Sequence, residues 1–240
     1  MTAVRPLFPH GASQALAPLY EFLFTPVCCH CAASLPYGDR FLCRPCRDTL
    51  RVLDPGDPLY REARERVTAD GTCDHLISLF RFEKGSPLQS LLHELKYAGR
   101  TGVGLLLGQR LGAAIGEVPG QFAGCLPVPL HRVRKRERGY NQSSLLCRGL
   151  SATTGIPTCG SFLKRVRPTP SQTALGVDER KSNVEGAFAL RRGARGKIAG
   201  RSFLLVDDVL TTGATMRACA EALKRGGAHH VVACTVALAA

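Results

Sequence analysis

The chain has no tryptophan, only two methionines and 6% aromatic residues, and its 240 positions carry just 19 acidic side chains. It also lacks a long apolar run, an internal repeat and a low-complexity tract. The most apolar stretch near the start, residues 15–27, is interrupted by Pro18, Glu21 and Pro26 and is too short to cross a bilayer. Arg5 alone precedes it, which is a poor signal-peptide pattern. We therefore expect no membrane span and no repeat architecture.

Basic charge, in contrast, is abundant. Lysine and arginine total 32, and the formal net charge is +13. This excess favours an anionic partner, which could be a phosphorylated metabolite, nucleic acid or an anionic membrane surface. With 45% hydrophobic and 21% charged residues, the chain has the composition of a folded protein with one sizeable core and room for a small appended module.

Eleven cysteines suggest a reducing, cytoplasmic setting in which thiols bind metal or pack as small apolar groups. Four of them form two Cys-x-x-Cys pairs: Cys28, Cys31, Cys43 and Cys46. Such pairs can meet at one tetrahedral centre that suits Zn²⁺, and four protein ligands leave no open position, so we expect structural zinc. Cys29 and His30 are rivals for ligation, but Cys28 with Cys31 preserves the two-residue spacing.

The remainder reads as an α/β domain. Residues 54–74 are charged and look like a solvated helix or linker. Strands are predicted over residues 76–82, 125–128, 203–206 and 231–236, and helices follow Ser86-Pro87 and span residues 103–115, 143–153 and 216–225. This alternation predicts a parallel sheet with helices on both faces and a ligand site at the carboxyl ends of the strands.

The sequence from Phe203 to Thr215 carries the most specific signal for function. A buried strand is followed by the acidic pair Asp207 and Asp208 and by the small, hydroxyl-rich run Thr211, Thr212, Gly213, Ala214 and Thr215 at the start of a helix. Backbone amides there can bind a phosphate, and the two carboxylates can accept hydrogen bonds from ribose hydroxyls. The pattern resembles the 5-phosphoribosyl-1-pyrophosphate (PRPP) motif of type I phosphoribosyltransferases.

A basic cluster follows the predicted strand at residues 125–128. Five of the seven residues from Arg132 to Arg138 are basic, namely Arg132, Arg134, Lys135, Arg136 and Arg138, and Tyr140, Asn141 and Gln142 come next. Such a cluster could neutralise a pyrophosphate or bind a nucleic-acid backbone, with Tyr140 stacking on a base. A charge run of this kind is also compatible with an ordinary solvated surface.

A polar, proline-containing stretch continues from Arg165 through Gln172, Arg180 and Asn183 to Phe188. It lacks periodicity, so we expect a long loop, which could be an active-site lid or a surface connection without catalytic consequence.

Taken together, the motifs resemble the ComF family of phosphoribosyltransferase-like proteins from about Pro26 to Ala237. The matching segments are the Cys-x-x-Cys pairs, Leu95-Lys96-Tyr97, Pro127-Val128-Pro129, Arg138-Gly139-Tyr140-Asn141-Gln142, Thr169-x-x-Gln172, Arg180-x-x-Asn183 with Gly186-Ala187-Phe188, and Val206–Thr215. The resemblance implies a type I phosphoribosyltransferase fold over residues 75–240, an N-terminal zinc finger over 26–53, a linker over 54–74 and an extension over 1–25. It also implies a role in DNA uptake for natural transformation, with single-stranded DNA, a competence helicase and recombination proteins as partners.

Two functions fit this resemblance. In a phosphoribosyl-transfer enzyme, residues 211–215 would bind the 5′-phosphate, Mg²⁺ would come with PRPP, and Arg132, Lys135 and Arg138 would stabilise the departing pyrophosphate. Asp207, Asp208 and Arg138 are then the candidate catalytic residues. In a binding protein, the zinc module and the basic cluster would bind single-stranded DNA. The phosphoribosyl site would be repurposed, with the acidic pair supporting a nucleotide terminus or a regulatory PRPP. A base-salvage enzyme gains no support, because no base pocket is recognisable.

Overall fold

A computed structural model describes residues 26–116, 121–166 and 186–240. The chain divides into two compact units, Met1–Thr49 and Leu50–Ala240. In the described part of the first unit, one short helix, α1 (Arg44–Asp48), accompanies the paired cysteines. None of the helices described is both long and apolar enough to cross a membrane.

The second unit is built on a parallel sheet. Its strands are, in chain order, β1 (His75–Arg81), β2 (Gly124–Pro127), β3 (Leu163–Arg165), β4 (Phe188–Leu190), β5 (Phe203–Leu210) and β6 (Val231–Leu238). Four of them form one sheet in the order β1-β6-β5-β2 with parallel pairing throughout, and β3 pairs antiparallel with β4. Every residue of β6 is buried, as befits a β-branched run covered on both faces. The predicted α/β fold is confirmed.

Helices alternate with these strands. They are α2 (Pro58–Thr68), α3 (Pro87–Tyr97), α4 (Thr101–Ile115), α5 (Arg132–Arg138), α6 (Gln142–Thr154), α7 (Arg195–Ile198) and α8 (Ala214–Arg225). The start of α3 follows from its sequence: the Ser86 hydroxyl accepts the amide of Gln89, and Pro87 occupies the first helical turn.

The two faces of the sheet carry different helices. Along β5, Phe203 and Leu205 pack into a core with α2 and α8, so the buried Leu204 faces the opposite side, where α4 and α6 lie. α4 and α6 touch through backbone. A Cβ on Gly108 would lie 2.1 Å from the Leu146 carbonyl oxygen, and one on Gly149 would lie 2.1 Å from the Leu105 carbonyl oxygen. Neither position therefore has room for a side chain.

Two features differ from the sequence prediction. β5 does not end before the acidic pair but continues to Leu210, because Asp207 to Leu210 keep their register with β6. Residues 54–74, predicted as a solvated helix or linker, contain the helix α2, but this helix is not simply solvated. Its residues Leu59, Tyr60, Ala63 and Val67 are buried against the sheet, which makes α2 part of the second unit.

Candidate functional site

A cleft of about 690 Å³ opens at the carboxyl end of β5. It is lined by the acidic pair and the run from Thr211 to Thr215, which follow each other in the chain, and by parts of α5 and the start of α6, which lie about 60 residues earlier. The end of α3 contributes Lys96 to the same wall. The parallel sheet explains the convergence, since the carboxyl ends of its strands share one edge.

The two carboxylates have different partners. Asp207 Oδ1 accepts the hydroxyl of Ser143 at 2.9 Å and the amide of Asp208 at 2.9 Å. Asp208 Oδ2 lies 2.8 Å from Lys96 Nζ, and its Oδ1 accepts the amide of Val209 at 2.8 Å. The Asp208 side chain is only 14% exposed and that of Lys96 26%, so this ion pair is largely shielded from water.

Burial, followed by the neighbouring charge of Asp208, raises the pKa of Asp207 to about 7. The hydrogen bond from Ser143 and the positive charge of Lys96 oppose this shift without cancelling it. Two adjacent carboxylates in one cleft resist simultaneous ionisation, and Lys96 neutralises Asp208 by direct contact. Asp207 therefore takes up a proton at a higher pH than an ordinary aspartate does.

The run from Thr211 to Thr215 turns the chain from β5 into α8. Gly213 precedes the helix with a φ of +76°, a conformation that favours glycine. A Cβ at this position would also lie 2.9 Å from Val67 Cγ1 on α2. Arg66, beside Val67, donates from Nη1 to the Thr211 carbonyl oxygen at 2.8 Å. Because the first amides of an α-helix have no intrahelical acceptor, the start of α8 offers donors and a positive dipole end to an anion.

The opposite side of the cleft is shaped by the junction between α5 and α6. Asn141 caps α6 by accepting the Ser143 amide and donates from Nδ2 to the Val128 carbonyl oxygen at 2.9 Å. Gln142 follows, 2% exposed, and its Nε2 has no hydrogen-bond partner among the described residues. A buried amide donor without an acceptor is costly, so its place in the wall of the cleft suits a ligand that supplies an acceptor.

Tyr140 and Arg138 are tied to the end of α3. The Tyr140 hydroxyl donates to the Leu95 carbonyl oxygen, and burial raises the pKa of Tyr140. The Arg138 guanidinium lies 5.1 Å from the centre of the Tyr97 ring. These contacts fasten the basic helix to the helix that carries Lys96.

The comparisons with known proteins agree with this geometry. Residues 121–240, which are half of the chain and include the whole strand–loop–helix motif, match the phosphoribosyl transferase domain. The chain belongs to the phosphoribosyl transferase domain family.

Two relatives of this phosphoribosyl transferase domain protein carry names related to DNA. It is 26% identical to competence protein F of Haemophilus influenzae over 216 residues, which are 85% of this chain and 93% of that protein. It is 35% identical to DNA utilization protein YhgH of Escherichia coli K12 over 147 residues, 59% of this chain and 63% of that protein. These relatives confirm the resemblance to the ComF family. Among solved structures, the glutamine PRPP amidotransferase of B. subtilis superposes on 60% of this chain and 30% of its own, with 23% identity and a TM-score of 0.40, too weak for further comparison.

The cleft of this family member contains most of the residues that the sequence singles out. Its lining includes Asp207, Asp208, Thr211, Thr212, Gly213, Ala214, Thr215, Arg134, Arg138, Asn141 and Gln142. Arg136 and Tyr140 are not part of the lining. Arg132 and Lys135 lie on α5, but the directions of their side chains are not described. Gln172, Arg180 and Asn183 fall outside the described residues.

Four contributors were not selected as site residues from the sequence: Lys96, Ser143, Arg165 and Arg66. Lys96 lies in the Leu95-Lys96-Tyr97 segment, which is one of the segments that match the family, so the resemblance could have identified it as a site residue. Ser143 and Arg66 act on groups 64 and 145 residues away, respectively, and no local pattern announces such contacts. Arg165 lines the cleft from β3, over the ring of Phe188 at 5.4 Å.

The first unit brings the four paired cysteines together. The sulfur atoms of Cys28, Cys31, Cys43 and Cys46 all lie within 4.8 Å of one another. Tetrahedral Zn²⁺ with bonds of about 2.3 Å requires S···S separations of about 3.8 Å, and the Cys31 and Cys43 sulfurs are 3.6 Å apart. This set could hold a metal ion. Among the described residues, neither Cys29 nor His30 belongs to it.

Proposed function

We propose that the cleft binds a 5-phosphoribosyl ligand of the PRPP type and that the protein uses this site in the uptake and handling of DNA. The observation that carries the first half is the meeting, in one cleft, of the acidic pair, the start of α8 and the basic helix α5. The second half follows the names of the relatives, competence protein F and DNA utilization protein YhgH.

The proposed position of the ligand follows from its 5′-phosphate and its ribose hydroxyls, which require different partners. The 5′-phosphate would lie on the amides of residues 211–215, where the dipole of α8 favours negative charge. The vicinal ribose hydroxyls would donate to Asp207 and Asp208, in competition with Ser143 and Lys96. Gln142 Nε2 would donate to a ligand oxygen on the opposite side of the cleft.

The pyrophosphate would lie towards α5, where Arg138, Arg132 and Lys135 are the candidates to neutralise it. Mg²⁺, when bound, would screen the phosphate oxygens. Because Ser143 and Lys96 already engage the carboxylates, the ion would be held chiefly by oxygens of the ligand.

The proposed binding partners are inferred from the basic charge of the chain and from the names of its relatives. Single-stranded DNA is the proposed macromolecular ligand of the basic helix, through Arg134 and Arg136, with a competence helicase and recombination proteins acting beside it. Zn²⁺ is the proposed ion of the four-cysteine set, where it would stabilise a unit too small for a large core. A zinc–thiolate site and eleven cysteines suit the reducing cytoplasm.

Turnover is a second candidate function, and the cations facing the cleft favour it. Departure of pyrophosphate leaves positive charge on the ribose ring and adds negative charge to the leaving group, and Arg138 would stabilise that negative charge. Within the part of the chain that the structure describes, no base-recognition group is evident, so a screen of acceptors is needed to identify the one used.

The test is calorimetric titration of the zinc-loaded protein with PRPP and Mg²⁺. We expect saturable binding that the double substitution Asp207→Asn, Asp208→Asn removes, because amides cannot replace both carboxylate acceptors. The matched control is Asp48→Asn with Asp54→Asn, which removes the same charge from exposed positions outside the cleft lining. Thermal melting of each variant reports whether it is folded.

Unchanged PRPP affinity in a folded double variant would remove the acidic pair from the site. Absence of binding by the unmodified protein would refute the phosphoribosyl proposal altogether. If PRPP binds, release of pyrophosphate in a screen of acceptors separates turnover from binding alone.

A further inference from the structure

A second concentration of positive charge lies outside the cleft, between Arg191 and Arg201. Five of these eleven residues are basic: Arg191, Arg192, Arg195, Lys197 and Arg201. No acidic residue occurs between positions 186 and 206. We call this segment the Arg191–Arg201 patch. None of its residues belongs to the cleft lining.

All five basic residues are exposed, and within the described part of the chain none of them has a side-chain hydrogen bond or an ion pair. Several other cations of the second unit contact a carboxylate: Arg51, Arg66, Arg81, Arg100, Arg217, Lys224 and Arg225. The patch is distinguished by the occurrence, within eleven residues, of five cations that make no such contact with any described residue. Charges one or two positions apart, such as Arg191 with Arg192 and Arg195 with Lys197, lie within about one Debye length of each other, so their potentials add.

The backbone holds the patch in a fixed form. Ala194 and Ile198 are buried in the core, which anchors α7 and leaves its charged residues outside. A Cβ placed on Gly193, Gly196 or Gly200 would meet nothing within 4 Å, so the surface between the basic side chains is open. A chain of phosphates could therefore approach the backbone closely.

The patch lies at the end of the sheet opposite the cleft. It leads directly into the first residue of β5, and the Arg201 carbonyl oxygen accepts the amide of His229 at 2.8 Å, just before β6 begins. Asp207 is the fifth residue of β5, so about 13 Å of strand, at roughly 3.3 Å per residue, separates the acidic pair from Phe203, just after the end of the patch. The two basic regions are separate surfaces.

From these observations we infer that the Arg191–Arg201 patch binds the phosphodiester backbone of DNA without reading its sequence. Four of the five cations are arginines, whose planar guanidinium binds phosphate in bidentate fashion. The residues inside the patch offer no exposed aromatic ring or large apolar side chain, so neither base stacking nor insertion into a membrane is provided for. The patch goes beyond the proposed phosphoribosyl site, which can be correct or wrong independently of it.

The experiment measures binding of fluorescein-labelled oligonucleotides of about 20 nucleotides, single-stranded and duplex, to the full chain over a series of salt concentrations. The patch variant is Arg191→Gln, Arg195→Gln, Lys197→Gln. The matched control is Lys84→Gln, Arg110→Gln, Arg148→Gln, which removes the same charge from exposed positions elsewhere. For single strands, we expect the patch variant to reduce the slope of log affinity against log salt by about 2 and to weaken binding about tenfold near 0.1 M salt. The two oligonucleotide forms show which one supplies the backbone.

The control variant should keep most of the wild-type affinity, and PRPP binding should be the same in all three proteins. An equal loss of DNA affinity in the patch and control variants would show that only the net charge of the protein matters, and it would overturn the inference. It would also be overturned if the patch variant bound DNA like the wild type but lost binding to vesicles containing anionic lipid. The Asp207→Asn, Asp208→Asn variant tests the two proposals separately. If it loses PRPP binding but keeps DNA binding, the patch and the phosphoribosyl site act independently.

Discussion

Substitution of Gly213 by alanine tests how the loop from Thr211 to Thr215 is held in place. The new residue would have to adopt a φ of +76°, which costs an L-residue about 1–2 kcal/mol. Its Cβ would also stand 2.9 Å from Val67 Cγ1, where carbon atoms prefer about 3.5–4.0 Å. Relieving that overlap adds about 1–2 kcal/mol, at the lower end of measured overpacking costs. We expect Gly213→Ala to lower the free energy of unfolding by about 2–4 kcal/mol.

Two further variants separate these contributions. Gly155 has a φ of +74°, and a Cβ placed there would meet nothing within 4 Å, so Gly155→Ala should show the backbone cost alone. Val67 is fully buried, and Val67→Ala should cost about 2–3 kcal/mol through lost burial and a small cavity. In the double variant with Gly213→Ala, the overlap disappears and the new methyl group fills part of that cavity. The double variant should therefore be about 1–2 kcal/mol more stable than the sum of the single effects predicts.

The assay is urea denaturation followed by far-ultraviolet circular dichroism, since the chain has no tryptophan to report by fluorescence. Strict additivity of Val67→Ala and Gly213→Ala, or a cost at Gly213 no larger than that at Gly155, would refute the contact between α2 and the loop. Calorimetry with PRPP adds the functional readout: affinity should fall in Gly213→Ala and recover in part when Val67 is also alanine.

Two further predictions concern protons and metal. The pKa of Asp207 in the folded protein, about 7, lies above its ordinary value, so the folded state binds a proton more readily than the unfolded state. The stability that this group contributes is therefore complete below about pH 4 and is lost as pH rises through 7. Asp207→Asn should therefore gain stability relative to wild type between pH 5 and pH 8, and a difference that does not change with pH would contradict the assignment. Metal analysis should find about one zinc per chain, and Cys46→Ser should lower that content while the melting of the second unit is retained; full zinc content in that variant would exclude Cys46 as a ligand.

The sequence predicted those parts of the molecule whose signals are local. Ser86 and Pro87 mark the start of α3 by capping and fixed φ, and the apolar run at Phe203 marks β5. The motif at Thr211–Thr215 and the paired cysteines were recognisable for the same reason, since each sequence signal is concentrated in a few neighbouring residues.

The sequence did not predict features that depend on contacts between residues far apart in the chain. The strand β5 continues through Asp207 and Asp208 because β6 supplies hydrogen-bonding partners that no nearby residue reveals. The buried face of α2 was hidden in a charged segment, since four apolar side chains among many charges suffice for packing on a sheet. Contacts such as Arg66 with Thr211 depend on the final register of α2 against β5.

The unequal partners of the acidic pair indicate how the cleft would select its ligand. Lys96 neutralises Asp208, so a neutral ribose that displaced this lysine would leave a buried carboxylate without a counter-charge. A ligand that also carries phosphate oxygens near Lys96 offsets this penalty, because the lysine gains a new ion pair with those oxygens while the hydroxyls donate hydrogen bonds to Asp208. On this reasoning a ligand with both a phosphoribosyl and a pyrophosphate group should bind more tightly than ribose 5-phosphate. The difference should shrink when Lys96 is replaced by methionine, which keeps the length of the side chain and removes its charge.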